Sequence, residues 1–77
     1  MNKQRRKYLA EAVSKLEEAM QMVQDAKDEE QDAFDNMPEG LQYSERGEQM
    51  EENIINMEEA QDNIDSAIGI LQEIIDG

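Results

Sequence analysis

Apolar residues recur every seven positions along most of the chain, and this spacing constrains the fold more than any other feature. In the first half, three tracks run side by side: Leu9, Leu16, Val23 and Glu30; Ala12, Ala19, Ala26 and Ala33; Val13, Met20, Lys27 and Phe34. Residues three, four and seven places apart share one face of an α-helix, so the tracks form a stripe, read here as the a, d and e positions of a heptad. Most residues between them are good helix formers, and neither Gly nor Pro occurs before Pro38. The spacing predicts a helix over about 3–35.

The second half repeats the pattern with Met50, Met57, Ile64 and Leu71; Gly47, Ile54, Gln61, Ile68 and Ile75; and Asn53, Ala60, Ala67 and Ile74. A second helix is expected over about 44–75. Ser44 is its N-cap, and Glu45 and Glu48 sit near its positive end. Gly69 falls mid-helix, where glycine costs about 1 kcal/mol against alanine; a close contact there would account for it. Residues 36–43 form the turn. Pro38 disfavours helical geometry at Met37, Asn36 can cap a new turn, and a short helical turn over 38–42 is expected.

The predicted fold is all-α: one domain, residues 1–77, an antiparallel helical hairpin resembling a coiled coil. Letting residue i face residue 80 − i sets Leu9 against Leu71, Leu16 against Ile64 and Val23 against Met57. It also sets alanines against large residues, as in Ala12 with Ile68 and Met20 with Ala60, which suits close packing. The same register pairs Lys27 with Asn53, Ala19 with Gln61, and Phe34 with Arg46 as ring and cation. Two helices hide only part of so broad a stripe, and Tyr8, Met22, Ile55, Ile70 and Ile74 widen it. Two hairpins are therefore expected to form a four-helix bundle, with Leu9, Leu16, Met20, Val23, Ile54, Met57, Ile64, Ile68 and Leu71 as core or dimer residues. The methionines read as core rather than as an adaptable groove.

Composition narrows the chemistry. At 77 residues a core is small and usually needs a staple, but the chain has no cysteine for disulfides or thiolate metal sites. It also has no histidine, the usual general base and metal ligand. Oligomerisation is the staple that remains. Acids over Asp25–Asp35 have the wrong spacing for an EF-hand and no glycine. A hairpin offers no cleft for paired carboxylates to work in. No catalytic residue, cofactor or metal ligand is assigned, and the reading is not an enzyme.

The net charge is −13, which repels nucleic acid and anionic membranes and attracts basic surfaces. The expected partners are a second copy and a basic protein, not nucleic acid or membrane. Ten acids and one Arg surround the turn over residues 28–52, and Asp28, Glu29, Asp32, Asp35, Glu39, Glu45 and Glu48 are the candidate partner-binding residues. The basic cluster Lys3, Arg5, Arg6 and Lys7 is expected to be neutralised by Glu73 and Asp76 across the hairpin. No apolar run is long enough for a membrane span or a signal sequence, so the expected location is cytoplasmic.

The segment Asp28–Glu51, with Asp35-Asn-Met-Pro-Glu and Ser44-Glu-Arg-Gly-Glu at its centre, and the start Asn2-Lys-Gln-Arg-Arg-Lys resemble short acidic proteins of phages and mobile elements of Gram-positive bacteria. The resemblance implies a phage-like accessory protein and carries over no functional residue. The leading functional expectation is a homodimeric scaffold or adaptor that binds another protein through its acidic surface. A DNA mimic that inhibits a basic DNA-binding or defence protein is the alternative, and a carboxylate metal-binding bundle is a weaker one.

Overall fold

The computed structural model describes all of residues 1–77. Helix α1 runs Lys3–Asp35, a four-residue helix α2 spans Glu39–Gln42, and α3 runs Glu45–Asp76. The two long helices fold back on each other as an antiparallel hairpin, a rod of 58 × 15 × 13 Å.

Local chemistry sets each end. Asn2 is the N-cap of α1, its side chain accepting from the Arg5 amide at 2.8 Å. Ser44 caps α3 through its hydroxyl, which accepts from the Gly47 amide at 3.3 Å and itself donates to the Leu41 carbonyl. At the turn, Asn36 closes α1 and Pro38, not Asn36, is the N-cap of α2. The carboxamide of Gln42 donates to the carbonyls of Phe34 (3.1 Å) and Met37 (3.4 Å), tying α2 to the end of α1 and the turn. Gly47 is buried because α3 starts against the chain just before it: a methyl group there would meet the carbonyl carbon of Gln42 at 2.6 Å and the Leu41 oxygen at 2.8 Å.

The seam uses two of the three tracks. On α1 and the turn the seam runs through Leu9, Val13, Leu16, Met20, Val23, Lys27, Glu30, Phe34 and Met37, buried or half-buried, and Arg6, Ala12, Ala19 and Gln24 are half-buried as well. On α3 it runs through Gly47, Met50, Ile54, Met57, Gln61, Ile64, Ile68, Leu71 and Ile75, with Asn53 and Ala67 half-buried beside it. Gaps of three and four alternate in both runs, the signature of a and d positions. The runs mirror each other when residue i is level with residue 84 − i: Leu9 with Ile75, Val13 with Leu71, Leu16 with Ile68, Met20 with Ile64.

Cross-helix hydrogen bonds fix that register. Lys27 and Gln24 both bond Gln61, and Asn53 bonds Glu30. The expected register, with i facing 80 − i, is therefore displaced by about one helical turn. Asn53 meets Glu30 rather than Lys27, and Gln61 meets Lys27 rather than Ala19. Phe34 lines a cleft with Ile54 and Ile55, and Arg46 lines two others with Met50. The alanines do not interdigitate with large residues across the seam. They flank it, at the g position, and Ala26, Ala33 and Ala60 are exposed.

Candidate functional site

With the seam as a and d, every remaining position takes a defined place around each helix. In an antiparallel pair the two g rows share one flank and the two e rows the other. The g flank carries Ala12, Ala19, Ala26 and Ala33 from α1 and Asn53, Ala60, Ala67 and Ile74 from α3, with an exposed arginine at the start of each row, Arg5 and Arg46. Next to it, at c, stand the exposed Tyr8, Met22 and Ile70. The e flank carries Lys3, Ala10, Glu17, Gln24 and Gln31 from α1 and Glu51, Glu58, Asp65 and Gln72 from α3. Of the exposed large apolar residues within the two long helices, Tyr8, Met22, Ile70 and Ile74 lie on the g side, and Ile55 alone lies towards e. The hairpin has one apolar flank and one polar flank.

The apolar flank is also grooved. An open depression of about 720 Å³ is lined by Met22, Val23, Ala26, Glu29, Glu30, Asn53, Asn56, Met57 and Ala60. Alanines leave it shallow, and the methionines and asparagines wall its sides.

The outward edge is acidic along both helices. At f, α1 presents Glu11, Glu18, Asp25 and Asp32, and α3 presents Glu45, Glu52, Glu59 and Glu73, all exposed. Seven residues of helix advance about 10.5 Å, so α1 displays a ladder of carboxylates at that interval, and α3 displays one broken by Ser66 between Glu59 and Glu73. Of the residues singled out around the turn, Asp32 and Glu45 belong to these ladders. Asp28, Asp35 and Glu48 stand beside them at b, Glu29 sits at c on the rim of the groove, and Glu39 opens α2. The turn residues are thus the end of a longer acidic surface. Its upper part has no signature in the linear run of acids and shows only along the seven-residue track.

Inside the seam, a polar cluster occupies the half nearer the turn. Lys27 Nζ donates to Gln61 Oε1 at 2.9 Å, and Gln61 Nε2 donates to Gln24 Oε1 at 2.9 Å. Asn53 Nδ2 donates to Glu30 Oε2, also at 2.9 Å. All five side chains are half-buried, so each bond replaces water that packing has displaced. The nine residues expected in the core all lie on the seam, Ile54 buried and the other eight half-buried.

The basic end differs from expectation. Arg6 is half-buried on the seam side of α1 and its Nε has no hydrogen-bond partner, where neutralisation by Glu73 and Asp76 was anticipated. No three carboxylates converge closely enough to hold a metal ion, and no helix is long and apolar enough to cross a membrane. No family model matches this chain, and no curated protein or solved structure is significantly similar to it.

Proposed function

We propose that the chain works by binding: a non-enzymatic helical scaffold that pairs with itself and presents carboxylates to a basic protein. The observation that carries this reading is the division of the rod into an apolar flank and an acidic outer edge. Only Val13, Gly47 and Ile54 are buried among 77 residues; the other seam residues are half-buried, and Tyr8, Met22, Ile55, Ile70 and Ile74 stand in water. A four-helix bundle of two hairpins removes that exposure and keeps the acidic edge outside. The phage or mobile-element setting implied by the turn motif is part of the same proposal.

Charge density favours a second reading, DNA mimicry. Two chains of −13 side by side on a rod of 58 Å give roughly one net negative charge per 2.2 Å of length. Duplex DNA carries one per about 1.7 Å. A basic DNA-binding protein would meet a comparable field on either surface.

One experiment separates the readings. The chain and a variant with Asp25, Asp32, Glu52 and Glu59 changed to Asn or Gln are used as bait for basic proteins, with elution by rising salt. Loss of a salt-eluted partner in the variant is expected, and equal capture by both would remove the acidic edge from the mechanism. Displacement of that partner by duplex DNA selects mimicry, and no displacement selects the scaffold.

A further inference from the structure

The apolar flank has a definite occupant. Resting on the self-association proposed above, we infer that a second copy docks on the g flank, with the two rods side by side and pointing in opposite directions.

Area points to a second rod. A compact monomer of 8.9 kDa exposes about 4800 Å² by the usual scaling, whereas this chain exposes 5796 Å². The excess is on the order of 1000 Å², close to the ~800 Å² each partner contributes to a standard stable interface. The long face of the rod, 58 by 15 Å, has the dimensions to supply it. Only one flank has the chemistry. Tyr8, Met22, Ile70 and Ile74 stand exposed along the g side, and between them the alanines let another helix approach closely. The e flank offers Glu17, Glu51, Glu58 and Asp65, whose desolvation opposes burial.

Charge sets the direction. The turn end, residues 28–52, carries −9, and the opposite end carries Lys3, Arg5, Arg6 and Lys7 against Glu73 and Asp76. Rods aligned in the same direction would place two −9 ends side by side. Reversed rods lay the basic end of each copy over the acidic turn of the other, near Asp32, Asp35 and Glu39. A twofold axis in the interface then crosses the rods near their midpoint, setting α1 against α1 and Ala19 close to its own counterpart.

The chain has no cysteine, so single introduced cysteines report without background. Sedimentation equilibrium first establishes the dimer, and far-UV circular dichroism establishes that each variant is folded. Ala19→Cys should then oxidise to a disulfide-linked dimer, and Glu17→Cys, mid-rod on the e flank, should not. Nitroxides on Tyr43→Cys at the exposed turn should lie near the 58 Å length of the rod apart. Codirectional rods would bring them to about 20 Å, roughly two helix diameters. A dimer with the short distance, or one linked through Glu17→Cys rather than Ala19→Cys, overturns this arrangement and leaves self-association standing. A folded monomer at every micromolar concentration overturns both.

Discussion

The two halves of the seam are built from different materials. Towards the chain termini, Leu9 to Met20 on α1 face Ile64 to Ile75 on α3, and every seam residue is apolar. Towards the turn, Lys27, Glu30 and Gln61 interrupt the seam and are held by hydrogen bonds to one another's helices. The apolar half supplies burial but little register. Sliding one helix by seven residues there exchanges one aliphatic for another at small cost. The same slide in the turn half strands Lys27, Gln61 and Glu30 without partners, and an unsatisfied half-buried polar group costs about 1–3 kcal/mol. Apolar contacts along both halves hold the helices together, and the polar groups of the turn half tell them where to stop.

The sharpest way to break that division is to place a charge in each half. Val13 is 3% exposed, and Val13→Asp strands a carboxylate among aliphatic side chains. A loss of about 3–5 kcal/mol is expected, enough to unfold the hairpin. Gln61→Asp sets the same group beside Lys27 Nζ and should cost less than about 1 kcal/mol. Urea denaturation followed by circular dichroism measures both, and equal losses would erase the distinction between the halves.

The turn half also contains the tightest backbone approach. Gly47→Ala drives a methyl group into the Gln42 and Leu41 carbonyls, where backbone cannot yield as a flexible side chain can. The expected loss is about 1–3 kcal/mol, the range for overpacking a filled site. It should appear as a lower urea midpoint with helix content retained in the absence of denaturant.

Removing the polar cluster tests its proposed purpose directly. Lys27→Leu combined with Gln61→Leu should raise stability by about 1–2 kcal/mol, since half-buried polar groups commonly give way to aliphatic ones at no loss. The cost should fall on uniqueness. Heteronuclear NMR spectra of the double variant are expected to show duplicated or broadened resonances from α1 and α3, as registers compete. A single sharp set of peaks would mean the apolar half fixes register unaided.

This division explains what could be read from the residues and what could not. Helix extents and the Ser44 cap were legible because propensity and capping are local: Pro38, Ser44 and the uninterrupted helix formers decide them. Register was not, because the alanine track keeps the same seven-residue spacing as the two seam tracks. Spacing alone does not say which two of three tracks meet, and a register that set alanines against aliphatics looked as complementary as the true one. The polar residues break the tie, because only one alignment joins Lys27 and Gln24 to Gln61 while joining Asn53 to Glu30. The Gln42 bonds to Phe34 and Met37 had no sequence signature, since they span eight and five residues of an irregular turn. The Asn2 cap does have one, an asparagine directly before a helix-forming run.

The smallest predicted effect compares the glycines of the two halves. Gly47 is fixed by the backbone packed against it, but Gly69 has nothing within 4 Å of where a methyl group would lie. The close contact expected from its mid-helix position is absent. Gly69 stands at b on the exposed side of α3, so alanine there restrains the unfolded chain and favours helix without touching the seam. Gly69→Ala should gain about 1 kcal/mol, measured as a higher urea midpoint with an unchanged slope. The same substitution of glycine by alanine thus changes sign along a single helix, according to whether the residue is pinned by the turn or free in the apolar half. A loss of stability at Gly69 would place a contact on α3 outside the hairpin. Because b lies beside the e flank, that contact would also move the docking surface away from the alanine side.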